Sequence, residues 1–175
     1  MRKTAYKIAA TLALLSAGQA QAAATDQCLT RPELRGMIAY VLPSVVNSAA
    51  TRCSTGAATD SFFASRAPQL LAELEPARVA AFPMARQAFK KFGGDKDRST
   101  MAIFDALPEE VFRPIVEAVV TEKIGGSIKP ESCGDIDRIM KTIAPLPSAN
   151  VTDLLTEVVM VAARNDRKMR TCAEG

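Results

Sequence analysis

The chain has 175 residues, with 22 Lys and Arg, 19 Asp and Glu, and no histidine. The lack of histidine excludes Ser-His-Asp triads and Cys-His dyads, and it removes a ligand that most zinc hydrolases use. The positive excess lies in the first 22 residues, which contain three basic and no acidic side chains. The rest is close to neutral, so we expect no broad attraction to nucleic acid or anionic lipid.

Residues 1–22 have the three zones of a secretory signal peptide. Three basic residues precede a short apolar stretch at 8–15, and Ala20-Gln21-Ala22 supplies a small-x-small cleavage pattern. The apolar stretch is shorter than the roughly 20 residues that span a bilayer. Cys28 follows three polar residues, so lipid attachment there is not expected. We expect cleavage after Ala22 and one soluble domain, residues 23–175, in the periplasm or outside the cell.

Helical spacing of apolar residues dominates this domain. The first stripe runs from Leu34 to Ala49, and Thr30 and Glu33 form a capping box in front of it. Further stripes cover residues 63–74, 79–92, 101–106, 111–124, 136–143 and 151–162. Alternating strand patterns are absent. The sequence therefore predicts an all-α fold, an irregular bundle of six or seven helices.

Each stripe also predicts which side chains of its helix face the core. The stripe at 111–124 consists of Val111, Phe112, Ile115, Val116, Val119, Val120 and Ile124. The last helix, starting at Asn150, has on one side Val151, Leu154, Leu155, Val158, Val159 and Ala162. Apolar residues at this spacing are usually the buried face of an amphipathic helix.

Prolines punctuate the pattern. Leu-Pro occurs at 42–43, 107–108 and 146–147, and each site is a possible joint between helices because proline suits the first helical turn. Pro68, Pro83 and Pro114 lie inside apolar stripes and mark kinks or further helix starts.

The four cysteines indicate two disulfides, because an exported chain with an even cysteine count is the ordinary setting for them. Cys28, Cys53, Cys133 and Cys172 are separated by 25, 80 and 39 positions. A structural zinc site needs closely spaced pairs, which these spacings do not provide. Neither a metal nor a catalytic thiol is therefore expected.

The pairing is open on sequence grounds. A helical hairpin would bring Cys133 to Cys172, and a reversal near Leu42-Pro43 would bring Cys28 to Cys53; this local scheme is favoured. The first stripe, however, runs through Pro43 without a change of phase. A straight helix there would part its ends by roughly 30 Å. The second scheme joins Cys28 to Cys172 and Cys53 to Cys133.

Three local patterns are candidates for a catalytic or calcium-binding site. Glu109 and Glu110 stand at a helix start, where acidic residues complement the helix dipole. Glu131-Ser132 resembles the Glu-Ser pair of lytic transglycosylases, which cut periplasmic glycan, but a cap for the helix after Cys133 is the preferred interpretation. Residues 95–99 alternate oxygen ligands as in a calcium loop, yet the loop's required glycine and final acid are missing. No catalytic, cofactor or metal residue is assigned.

Two basic clusters are candidate contact surfaces. The first consists of Arg86, Lys90, Lys91, Lys96 and Arg98, and the second of Arg164, Arg167, Lys168 and Arg170. Either can contact anionic lipid, cell-wall polymer or an acidic partner, or can simply complement the dipole at a helix C-terminus.

The leading functional hypothesis is a non-enzymatic interaction or accessory module of the cell envelope. The alternatives are a carrier with a cavity for an acyl-type ligand and, third, a glycan-cleaving enzyme that uses Glu131 or Glu109. An interaction module should present an exposed apolar or basic patch. An enzyme should hold a carboxylate of raised pKa in a cleft.

Overall fold

A computed structural model describes residues 28–54, 60–92, 106–164 and 169–172. Within these ranges the fold is all-α, as predicted, with six helices. They are α1 (Arg31–Cys53), α2 (Phe62–Ser65), α3 (Ala67–Phe92), α4 (Glu109–Lys123), α5 (Cys133–Ile143) and α6 (Ser148–Ala163). Two 3-10 turns, Gly125–Ser127 and Pro130–Ser132, join α4 to α5. The predicted signal peptide and, apart from Ala106, the predicted helix at 101–106 lie outside the described residues.

Helix α1 is the central helix of the bundle. The predicted capping box is confirmed: the Glu33 amide donates to the Thr30 hydroxyl, and the Thr30 amide donates to the Glu33 carboxylate at 2.9 Å. The helix packs against α3, α4 and α6, so residues on almost every side of it are buried. The predicted joint at Leu42-Pro43 is wrong. Packing on several sides outweighs the cost of about 3 kcal/mol that an internal proline imposes.

Helix α3 crosses α1 at very short range. Gly36 of α1 lies against α3, and a Cβ atom at this position would collide with Met84. Ala85 and Ala88 on the facing side of α3 are fully buried. The stripes at 63–74 and 79–92 belong largely to this single helix, because α3 continues through Pro76 and Pro83, both of which are exposed.

Aromatic rings fill the space between α1, α3 and α4. Tyr40, Phe82, Phe89 and Phe112 form a cluster whose neighbouring ring centroids are 5.5–5.9 Å apart. Phe112 is the α4 member of this cluster and is almost completely buried. These contacts hold the N-terminal half of α4 against the central helix.

The stripe predicted for α4 is only half buried. Phe112, Val116 and Val120 face the core, whereas Val111, Ile115, Val119 and Ile124 are exposed. The structure differs from the prediction because α4 packs on the core only along one line of residues spaced four apart. The apolar stripe in the sequence is wider than that line of contact.

The remaining Leu-Pro sites are joints, as predicted. Pro108 is the N-cap of α4 and Pro147 is the N-cap of α6. Helix α6 therefore begins at Ser148, two residues before the predicted start at Asn150. Pro114 lies inside α4, which continues through it.

Both disulfides connect an end of α1 to a distant part of the chain. Cys28 pairs with Cys172, with Cα atoms 5.0 Å apart, and Cys53 pairs with Cys133, with Cα atoms 5.4 Å apart. The favoured local pairing is therefore wrong, and the second scheme is the one observed. Because α1 does not reverse at Pro43, its ends stay far apart. The cysteine at each end therefore forms its disulfide with the cysteine that is packed beside it.

Candidate functional site

Much of the first basic cluster stabilises the fold. The Lys91 ammonium lies 3.1 Å from the Cys28 carbonyl oxygen and 2.7 Å from the Glu33 carboxylate. The Arg86 guanidinium donates to the Leu107 carbonyl at 2.8 Å and lies over the Phe82 ring. Lys90 is exposed on the same helix end. Lys96 and Arg98 lie outside the described residues.

Glu33 is a buried acid whose negative charge is stabilised by neighbouring hydrogen-bond donors. Burial alone would raise its pKa, but hydrogen bonds from Lys91 and from the Thr30 amide and hydroxyl outweigh that effect and lower the pKa. The carboxylate thus closes the capping box and also binds the end of α3 to the start of α1.

The two predicted carboxylate candidates do not form a site with each other. Glu109 is the first residue of α4, while Glu131 is exposed in the turn that follows the far end of that helix. Ser132 is the N-cap of α5, although its side chain makes no capping hydrogen bond. Neither Glu109 nor Glu131 lines the pocket between α1, α3 and α4, so that pocket gives the glycan-cleaving alternative no support.

Four charged residues that the sequence did not single out form a closed ring between α3 and α4. Arg78, which is 2% exposed, contacts Glu117 and lies 3.8 Å from Glu75. Arg113 lies 2.5 Å from Glu75 and 3.1 Å from Glu117. Arg78 also donates to the Ser44 hydroxyl of α1 at 2.7 Å. The ring therefore joins three helices. The available signal was an oppositely charged i, i+3 pair between the stripes at 63–74 and 79–92 and an i, i+4 pair inside the stripe at 111–124.

A polar pocket of about 250 Å³ lies beside this ring. It is lined by Pro43, Ser44, Asn47, Leu71, Glu75, Arg113, Glu117 and Thr121. Burial would raise the pKa of Glu117, but hydrogen bonds from Arg78 and Arg113 outweigh it and lower the pKa. Glu117 therefore stays ionised at neutral pH and cannot serve as a general acid there. The polar lining does not favour an acyl chain either.

Helix α6 buries two threonines and leaves three large apolar side chains exposed. Thr152 and Thr156 are buried, and their hydroxyls donate to backbone carbonyls one turn earlier, at 3.0 and 2.8 Å. Leu154, Val158 and Val161 are 48%, 55% and 57% exposed. We call these three residues the α6 strip. The prediction that Leu154, Val158 and Ala162 face the core is wrong.

The orientation of α6 is set by its contacts with α1. Arg31 and Arg35 form ion pairs with Glu157 and Asp153, so the two helices run antiparallel. Met160 packs against Leu34 and Ile38 in the same interface. The buried face of α6 is thus centred on its threonines, and the α6 strip lies on the far side.

Metal clusters and membrane-spanning helices can be assessed only within the described residues. No group of three or more Cys, Asp and Glu side chains is arranged to hold a metal ion in the ranges given above. No helix in the same ranges combines the length and the apolar character needed to cross a bilayer. The candidate calcium loop at 95–99 lies outside the described part of the chain. Comparisons with protein-family models, with curated proteins and with solved structures found no significant match.

Proposed function

We propose that the protein is an exported, non-enzymatic interaction module that binds a helix of another envelope protein through the α6 strip. Export is supported by the leader pattern of residues 1–22 and by the pairing of all four cysteines in disulfides, which persist in oxidising compartments.

The orientation of α6 carries the proposal. Burying a leucine or valine stabilises a fold by about 1.5–3 kcal/mol, which is more than a threonine contributes. A helix selected for stability alone would therefore place Leu154 and Val158 inside and threonines outside. Helix α6 buries Thr152 and Thr156 while it leaves Leu154 and Val158 exposed, which is expected when part of its apolar surface has a second use.

The spacing of the α6 strip fits a helical partner. Leu154, Val158 and Val161 follow i, i+4, i+7 and form one line of about 10 Å along the helix. Such a line packs against the side of another helix in ridges-into-grooves and coiled-coil contacts. Helix α4 also has exposed apolar residues, but they lie next to its buried face and are the part of a broad apolar stripe that does not reach the core. They are therefore weaker evidence for a binding surface than the α6 strip.

Site-specific photo-crosslinking in intact producing cells tests the proposal. A benzophenone amino acid is placed at Val158, and the matched control carries it at Val79, an isolated valine of α3 that is 53% exposed. We expect one dominant protein adduct from position 158 that disappears when Leu154→Lys is added, and no such adduct from position 79.

Two outcomes would contradict the proposal. One is the same set of adducts from both positions, which would indicate random encounters. The other is no adduct from position 158 in a strain that exports the protein in folded form. An adduct that survives Leu154→Lys would also count against the α6 strip as the binding surface.

A further inference from the structure

The fold brings two basic segments, separated in the sequence, to one end of the bundle. Lys91 at the end of α3 contacts the Cys28 carbonyl, and Cys28 is disulfide-bonded to Cys172. The Leu29 amide donates to the Arg170 carbonyl at 2.8 Å, and the Cys172 amide donates back to Leu29 at 2.9 Å. The start of α1, the end of α3 and the C-terminal segment 169–172 therefore meet. We call this the basic end.

The basic end carries an excess of positive charge. Its described segments are 28–35, 90–91, 153–164 and 169–172. The basic residues there are Arg31, Arg35, Lys90, Lys91, Arg164 and Arg170, and the acidic ones are Glu33, Asp153 and Glu157. Six against three leaves a net charge of +3. Cations at helix C-termini complement the dipole, but this does not account for Arg170, which lies beyond α6.

The α6 strip runs into the basic end. Val161 is in the last turn of α6, and Arg164, its C-cap, follows three residues later on roughly the same side of the helix. Both Arg164 and Arg170 are exposed. A binding surface that is apolar along its length and positively charged at one end distinguishes the two orientations of a partner.

We infer that the partner is an amphipathic helix with carboxylates clustered at one end, so that its apolar face covers the α6 strip and its acidic end lies on the basic end. This inference rests on the proposed function. Opposite charge at one end of the contact fixes the orientation of the partner and raises the association rate. A flat anionic membrane fits less well, because Arg164 and Arg170 lie at one end of the α6 strip only, while the charges beside the strip, Asp153 and Glu157, are paired with Arg35 and Arg31.

Two synthetic helical peptides test the inference. Both carry the same heptad-spaced leucine face; one has four glutamates at one end and the other has four lysines there. Their affinities for the mature, disulfide-bonded protein are measured by fluorescence anisotropy. We expect the acidic peptide to bind at least about tenfold more tightly at low salt, with the difference shrinking as salt is raised. In the Arg164→Glu/Arg170→Glu variant the preference should reverse, while circular dichroism shows an unchanged fold.

The outcomes separate the inference from the function on which it rests. Equal binding of both peptides, lost in Val158→Lys, would overturn the inference and leave the α6 strip as the docking surface. Failure of both peptides to bind, or binding unaffected by Val158→Lys, would overturn both. Binding to phosphatidylglycerol vesicles but to neither peptide would assign the surface to a membrane and overturn the inference.

Discussion

At the scale of single residues, the packing of α1 depends on the absence of a side chain. Gly36 allows α3 to approach so closely that a Cβ atom there would collide with Met84 and lie 3.3 Å from the Ala85 amide nitrogen. Ala85 and Ala88 on the facing side of α3 are fully buried, so the helices meet there through small side chains. The contact between α1 and α3 at Gly36 is therefore sensitive to added side-chain volume, even when the added group is apolar.

Gly36→Ala should lower the free energy of unfolding by about 1–3 kcal/mol through overpacking. Gly134→Ala is the matched control, since a Cβ atom there meets nothing within 4 Å and the residue lies inside α5. Alanine is the better helix former, so the control should be neutral or more stable by up to about 1 kcal/mol. Urea unfolding of both variants measures the difference. Equal effects would mean that α1 and α3 are not in close contact at Gly36.

The charged ring between α3 and α4 allows a second prediction about a single residue. Glu117→Gln removes one carboxylate from the buried Arg78 and should destabilise the protein by about 1–3 kcal/mol. Glu122→Gln changes a well-exposed pair with Lys123 and should stay within about 0.5 kcal/mol of the parent. Thermal unfolding distinguishes them. A neutral Glu117→Gln would show that water, rather than the carboxylate, satisfies Arg78.

Acid should weaken the fold through Glu33. Its pKa is lower in the folded state than its ordinary value of 4.5, so its stabilising contribution is complete above about pH 4.5 and declines as pH falls through the folded pKa. Glu33→Gln keeps a side chain able to close the capping box but cannot titrate. The free energy of unfolding of the variant should therefore fall less steeply below pH 4.5. Parallel curves for variant and parent would refute this role.

At the scale of elements, helices could be predicted where sequence signals are local. The Thr30–Glu33 capping box and the prolines at the starts of α4 and α6 act within a few residues, and the structure follows them. Which side of a helix faces the core depends instead on its neighbours. The rotation of α6 follows from its packing on α1, where Met160 contacts Leu34 and Ile38, and no periodicity within α6 contains that information.

The orientation of α6 can be tested without knowledge of any partner. Val158→Lys places a charge on the exposed strip and should change the free energy of unfolding by less than about 0.5 kcal/mol. Val151→Lys buries the same charge beside Leu42, Val46 and Leu74 and should cost more than about 3 kcal/mol. Chemical denaturation of the two variants provides the comparison. A large loss in Val158→Lys would mean that the strip faces the core.

At the scale of the whole molecule, the bundle is organised around one long helix held at both ends. Cys28–Cys172 joins its start to the C-terminal segment, and Cys53–Cys133 joins its end to α5. The sequence indicates two disulfides but leaves the pairing open, because the pairing depends on whether α1 reverses at Pro43. The charged ring and the basic end are also unpredictable from local patterns, since each unites residues that are distant in the chain.

Disulfide mapping of the protein purified from the cells that produce it tests this account most directly, because the outward orientation of α6 depends on an unbroken α1. Mass spectrometry of unreduced proteolytic fragments should show Cys28 linked to Cys172, Cys53 linked to Cys133, and a chain that begins near residue 23. Linkage of Cys28 to Cys53 and of Cys133 to Cys172, or four free thiols on a chain that retains its leader, would contradict it.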